Sequence, residues 1–182
     1  IIAYNFSTSN TANKKLINNR NARLAISHAI SRRRLIDQAL QNASLPPKGF
    51  VTAGLSKNNL NHSDFANQQE ASSYVKGNNK TAAHEWAAAK RQLHVSTAKL
   101  TLITANDAVS VRVANNLKTQ LENHLPGLTI HTVSLDSNHL NNRVTNGQFD
   151  LLLTGWGADY PDPLSFLQVM TSNSRHNYGH WH

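Results

Sequence analysis

The sequence predicts an α/β fold with a mixed, largely parallel sheet flanked by helices. Three observations carry this. From Lys99 onward, strand-like and helix-like segments alternate: KLTLIT, the long stretch Asp107–His124, LTIHTVSL, a short helical stretch, then Leu151–Leu153 and a last helix start. A β–α–β–α–β–α order makes successive strands parallel, with the helices as crossovers. The run Leu151-Leu152-Leu153 is short and uninterrupted, as in a strand covered on both faces. The helical stretches are apolar on one face only, as Ala82, Trp86, Ala89 and Leu93 show by their spacing. At 182 residues the chain is long enough for one good core. It reads as a single α/β unit over residues 1–182, with a polar excursion at about 56–80.

The elements follow in order. Ile1–Phe6 is β-prone and leads into a polar loop through Asn13. In Asn18–Arg34, Leu24, Ala25, His28 and Ala29 share one side of a helix, with Ile26 and Ile30 beside it. His28, among small residues, reads as a packed and satisfied histidine rather than a base. Ser31 is a natural cap for a further helix through Leu40, with Leu35 and Ile36 buried. Ala43–Leu55 is a loop punctuated by proline and glycine. The Asn-, Gln- and Ser-rich stretch after it has little periodicity, and a loop of that length is functional or mobile as a rule.

Thr81–Leu93 is helical, Lys99–Thr104 a strand, and Asp107–His124 the longest helix, with Val109, Val113, Leu117 and Leu121 four apart. Pro126-Gly127 closes that helix, Leu128–Leu135 is a strand, and Ser137–Asn146 is a short helix from a serine cap that Gly147 ends. After Leu153, Pro161 ends the extended segment. Asp162 is placed to cap a helix with Pro163 at its first position, and Leu164, Leu167 and Met170 fall on one face.

Composition narrows the function. Mean hydropathy is −0.48 and no stretch approaches the roughly 20 apolar residues of a membrane span. There is no cysteine, which excludes disulfides, thiol catalysis and cysteine metal sites. The first residue is Ile1, and no charged region precedes an apolar one, so the sequence reads as a trimmed or processed piece. Net charge is +8, and Lys14, Lys15, Arg20, Arg23, Arg32, Arg33 and Arg34 all precede the first acid, Asp37. Such a block suits an anionic polymer or a solvated helix face. Without interleaved aromatics for base stacking, the solvated face is the expectation and nucleic acid is not. Ten histidines include the terminal His176, His180 and His182. These read as exposed tail residues, because a metal needs three or four rigidly held ligands. No nucleophile elbow, phosphate loop or dinucleotide fingerprint occurs, so no enzyme, catalytic residue, metal or cofactor is expected.

The most informative stretch is FDLLLTGWGADYPDPLSFLQVM, residues Phe149–Met170. Gly155 and Gly157 bracket Trp156 just past the strand, and a missing Cβ lets another backbone approach closely. Trp156 offers a flat face and one N–H donor. Asp159 adds a carboxylate beside Tyr160, suited to a positive amino group.

This GW-x-ADYPDP segment resembles that of the extracytoplasmic oligopeptide- and dipeptide-binding proteins that feed ABC importers. The resemblance extends to Arg23, Ala25, Ile26, Ala29, Ile30 and Arg32 of the earlier helix pair, where Ser31 stands in place of an aspartate. It implies one lobe, the C-terminal one, of a type II-like periplasmic binding protein. The ligand would be a peptide held between two lobes, and the other lobe and the transporter permease subunits would be partners. It also implies an extracytoplasmic location, as a lipoprotein or in the periplasm. By resemblance, the Gly155–Gly157 backbone meets the ligand main chain, Trp156 walls a side-chain pocket and Asp159 pairs with the peptide amine; Tyr160 adjoins them. A family position that grips the peptide carboxylate holds Leu153 here, with Arg143 the nearest basic candidate. The resemblance leaves a nickel complex, haem or a sugar open as ligand.

Overall fold

The computed structural model describes residues 1–69 and 71–180. Its centre is a four-stranded sheet in the order β1-β4-β2-β3, formed by β1 (Ile2–Tyr4), β2 (Ala98–Ala105), β3 (Leu128–Leu135) and β4 (Leu151–Leu153). β2 pairs in parallel with both β3 and β4, while β1 closes the other edge antiparallel to β4. Leu151 and Leu152 are buried in the interior strand β4, as their unbroken apolar run requires.

The crossovers are α6 (Ala108–His124) between β2 and β3, and α7 (Ser137–Thr145) between β3 and β4. Asp107 caps α6 by accepting from the Val109 and Ser110 N–H groups. Its inner face is Val113, Ala114, Leu117, Gln120 and Leu121; Val109 lies outside it, exposed, because the stripe starts one turn later. The cap of α7 is Asp136, which accepts from Asn138 and His139, and not Ser137 as the spacing suggested. Gly127 takes φ +86° between α6 and β3, and a Cβ there would stand 2.6 Å from the Ser96 carbonyl oxygen.

On one sheet face α1 (Thr11–Asn18), α2 (Arg20–His28) and α5 (Asn79–Leu93) pack together with α6, and the short α3 (Arg32–Leu35), which buries no residue, lies against α6. The segment around α1 was expected to be loop through Asn13; instead Asn10 accepts from the Asn13 N–H and starts a helix. Ser31 caps α3 as expected, but from Ile36 to Leu40 the helix widens to a π-turn, with Ile36 buried and Leu35 only partly so. Leu16, Ile17, Ala22, Ala25, Ile26, Ala29, Trp86 and Ala89 meet Leu100, Leu102, Leu117, Leu121 and Ile130 in the main core. Small residues on α2 and α5 let the two helices approach closely. On the opposite sheet face Ile103, Phe149 and Leu152 form a second, smaller cluster with partners on α7.

The polar excursion contains an isolated bridge Lys57–Asp64, a 3-10 turn Phe65–Gln68 and the short helix α4 (Ser72–Val75). His28 joins it to the core. Its Nδ1 lies 2.8 Å from the Glu85 carboxylate on α5, and its Nε2 lies 3.1 Å from the Ser73 carbonyl oxygen.

The basic block is not a merely solvated face. Arg23 donates to the Ile17 carbonyl and lies over the Phe6 ring at 5.3 Å. Arg32 donates to the carbonyls of Ser27 and Ile30 and to Ser27 Oγ. Burial lowers the pKa of both guanidinium groups. Arg33 pairs with Asp37 at 3.1 Å and Arg34 donates to Gln38, both on the outside.

Candidate functional site

The carboxyl end of the interior strand β4 opens into an irregular loop, 154–163, that carries Gly155, Trp156, Gly157, Asp159 and Tyr160. Ligands of open α/β sheets gather at the carboxyl ends of strands. The loop is held at both ends. Thr154 accepts from the Ile1 amino group at 2.9 Å, which prolongs the β1–β4 ladder by one residue. At the far end Asp162 Oδ1 accepts from the Leu164 N–H at 2.8 Å and starts α8 (Leu164–Leu167) after Pro163.

Between these ends one residue organises the loop. Ser165, fully buried, takes the Asp159 N–H on its hydroxyl at 2.7 Å and the Trp156 indole N–H on its carbonyl at 2.8 Å. Trp156 therefore spends its single donor on its own chain, and presents its ring rather than its nitrogen. The indole is half-buried against His176, with ring centroids 4.7 Å apart and planes at 61°.

The Asp159 carboxylate is exposed and has no partner among the described residues, and Tyr160 is exposed beside it with its hydroxyl 3.4 Å from Gln168 Oε1. Gly155 and Gly157 are exposed too. Neither has a positive φ, and among the described residues nothing lies within 4 Å of the place where a Cβ would stand on either. The chain's own packing thus gives no reason for a glycine at either position. Arg143, on α7, has no side-chain hydrogen bond among the described residues and no contact tying it to this loop.

The apolar face expected for the following helix is reversed. Leu164, Leu167 and Met170 are exposed, while Ser165, Phe166 and Val169 turn inward. Phe166 decides the orientation: it meets Phe50 edge-on at 6.2 Å and 89°, which fixes the loop near Val51 against α8. Of the terminal histidines, His176 departs from the tail expectation. His176 is half-buried, its Nδ1 lies 3.1 Å from the Tyr178 hydroxyl, and Tyr178 meets it edge-on. His180 is exposed and His182 lies outside the described residues. Among the described residues no three His, Asp or Glu side chains are grouped to hold a metal ion, and no helix is long and apolar enough to cross a membrane.

Sequence reading missed Ser165 and His176. The serine is only a small residue inside a helix start, and its hydrogen bonds depend on how the loop folds back over it. The histidine lies twenty residues past the tryptophan, with no periodicity to connect them.

Comparison with known proteins agrees with this architecture. The family model of bacterial extracellular solute-binding proteins, family 5 Middle, matches residues 1–178. A dipeptide-binding protein of Lactococcus lactis subsp. cremoris (strain MG1363) is 34% identical over 184 residues, which is 98% of this chain and 32% of that protein. The chain therefore spans about a third of the curated relative's length. Among solved structures, the peptide-binding protein of a peptide ABC transporter superposes with a TM-score of 0.89 at 28% identity, over 99% of this chain and 77% of that one. The pheromone receptor PrgZ, whose mode of peptide binding its structure describes, superposes with a TM-score of 0.88 at 33% identity, over 99% of this chain and 34% of that one. With a match running through nearly all of its described length, the chain belongs to the bacterial extracellular solute-binding proteins, family 5.

Proposed function

We propose that this chain is one lobe of an extracytoplasmic oligopeptide-binding protein that delivers peptide to an ABC importer. The single observation that carries the reading is the pair of glycines at the end of β4. Gly155 and Gly157 face open space and adopt no conformation that needs glycine. Their missing side chains serve an approach from outside, and an extended peptide backbone is the partner that needs such room. Beside them, Trp156 supplies a rigid aromatic wall. Asp159 supplies a free carboxylate for the peptide amino group, and Tyr160 borders the same surface.

A second lobe of the same protein closes the cleft over this surface, and the permease subunits receive the loaded protein at the membrane. In the open lobe the Asp159–ammonium pair stays in water, where it contributes little. Closure excludes water and strengthens it. This chain alone therefore holds peptide weakly. The relatives named above are peptide- and dipeptide-binding proteins, which supports a binding role rather than catalysis.

The test is an NMR titration of the 182-residue chain with trialanine. Amide shifts confined to Gly155–Tyr160, with affinity on the order of millimolar, are expected. N-acetyl-trialanine or the Asp159→Asn variant should weaken them. Shifts elsewhere and none in this loop would sink the assignment of the site. Submicromolar binding would sink the half-site reading.

A further inference from the structure

We infer that His176 is a positioning residue for the peptide site: it sets the orientation of the Trp156 ring, and the segment that carries it belongs to the site's support. This rests on the proposed role of Trp156 as the aromatic wall.

The indole is held at two points. Its N–H is tied to the Ser165 carbonyl at 2.8 Å, which fixes one edge. A single hydrogen bond leaves the ring free to swing about it. The second point is the His176 imidazole, 4.7 Å from the indole at a tilted, edge-on angle. Aromatic pairs in this arrangement attract through their quadrupoles beyond simple burial.

His176 is itself fixed. Its Nδ1 lies 3.1 Å from the Tyr178 hydroxyl, and the Tyr178 ring stands at 82° to it, 5.9 Å away. The backbone beyond is pinned to the first strand. Gly179 accepts from the Phe6 N–H at 2.9 Å, and its α-carbon lies so close to β1 that a Cβ would stand 2.3 Å from the Tyr4 carbonyl oxygen. Asn177, buried, donates to the Ser172 carbonyl. A continuous path of contacts thus runs from β1 through Gly179, Tyr178 and His176 to Trp156. The segment after α8, which composition alone marks as a polar tail, braces the wall of the site from behind.

The role is that of a ring. A side chain of similar reach without one would leave the indole loose, whereas another aromatic would hold it. The readout is solvent exchange of the Trp156 indole N–H, assigned by Trp156→Phe, with the buried Trp86 indole N–H as the internal measure of folding. His176→Gln should speed Trp156 exchange about three- to tenfold, the range that one aromatic pair contributes. His176→Phe should keep exchange near the native rate. The proposal is overturned if His176→Gln leaves Trp156 exchange unchanged, if His176→Phe disturbs it equally, or if Trp86 exchange rises in step. The last result would make His176 a contributor to global stability only.

Adding trialanine separates the two ideas. A native chain whose Trp156 peak ignores the peptide refutes the peptide site. The exchange data without peptide still decide the positioning role.

Discussion

Lys118 and Glu122, one turn apart on α6, together take up both backbone polar groups of Ile130 on β3. The Glu122 carboxylate accepts the Ile130 N–H at 2.8 Å, the Lys118 ammonium donates to the Ile130 carbonyl at 2.7 Å, and the two side chains pair at 2.7 Å. β3 is one of the two edge strands, and an edge strand turns every second N–H and C=O away from its sheet. The ion pair closes that edge at its middle. Glu122→Ala should cost about 1 kcal/mol, the usual net worth of a lost hydrogen bond with its partner left unpaired, and should promote concentration-dependent association along β3. Urea unfolding and sedimentation velocity read the two effects. The Lys118 and Ile130 hydrogen bonds hold the Glu122 carboxyl below its ordinary value of 4.5. A depressed acid stabilises the fold above its unfolded pKa, and that contribution is lost as pH falls through the lower, folded value. The native chain should therefore lose more stability than Glu122→Gln on acidification below about pH 4.5.

Asp150 is a buried carboxylate that makes no ion pair among the described residues. It accepts instead from Thr8 Oγ1 at 3.0 Å, Asn13 Nδ2 at 2.9 Å and the Thr101 N–H at 2.8 Å, so it joins the start of the chain to β2 and β4. Charged acceptors make the stronger hydrogen bonds. Asp150→Asn would set an amide N–H₂ against donors, and should cost about 2 kcal/mol or more. A midpoint in urea within error of the native chain would remove this role.

Periodicity made the strands and crossover helices legible, because one-sided burial writes itself into spacing. β3 and the end of α5 fall where the pattern puts them. The motif loop was legible for a different reason: glycine, tryptophan, acid and proline in one order leave few other uses. Capping was less so. Asp136 and Ser137 both cap well, and Asn10 begins a helix in a stretch with too few apolar residues to show a period. The face of α8 was misread because a short helix offers two spacings that fit, and only the distant Phe50 selects between them. The hydrogen bonds of Ser165, the stack on His176 and the carbonyl-bound Arg32 are long-range consequences of packing. No window of sequence contains them.

Tyr4 should remain protonated far into alkali. Burial pushes its phenol up to about 12 from its ordinary 10.0, against the opposing charges of Arg23 and Arg32. A raised acid contributes stability in full below its unfolded pKa, and this is lost as pH rises through the folded value. Stability should hold to about pH 10 and then decline towards 12. Ultraviolet titration at alkaline pH checks this: Tyr4→Phe should lack the late-ionising phenol, and its stability should fall less over that range.

The glycines at the end of β4 give the sharpest separation of folding from binding. At each, an added methyl meets no atom within 4 Å among the described residues and no strained φ. Replacing a glycine by alanine under those conditions removes freedom from the unfolded chain, so Gly155→Ala and Gly157→Ala should leave stability unchanged or raise it by about 0.4–1 kcal/mol. If the space is kept for a ligand backbone, the same methyl displaces that backbone from its closest approach. Trialanine binding should then weaken about tenfold or more, since 1.4 kcal/mol of lost contact is a factor of ten. Stability is read by thermal unfolding, and binding by the amide shifts of the Gly155–Tyr160 loop. A variant that unfolds early would show a packing role that the open surroundings do not predict. A variant that binds as the native chain does would take the peptide backbone away from these two positions.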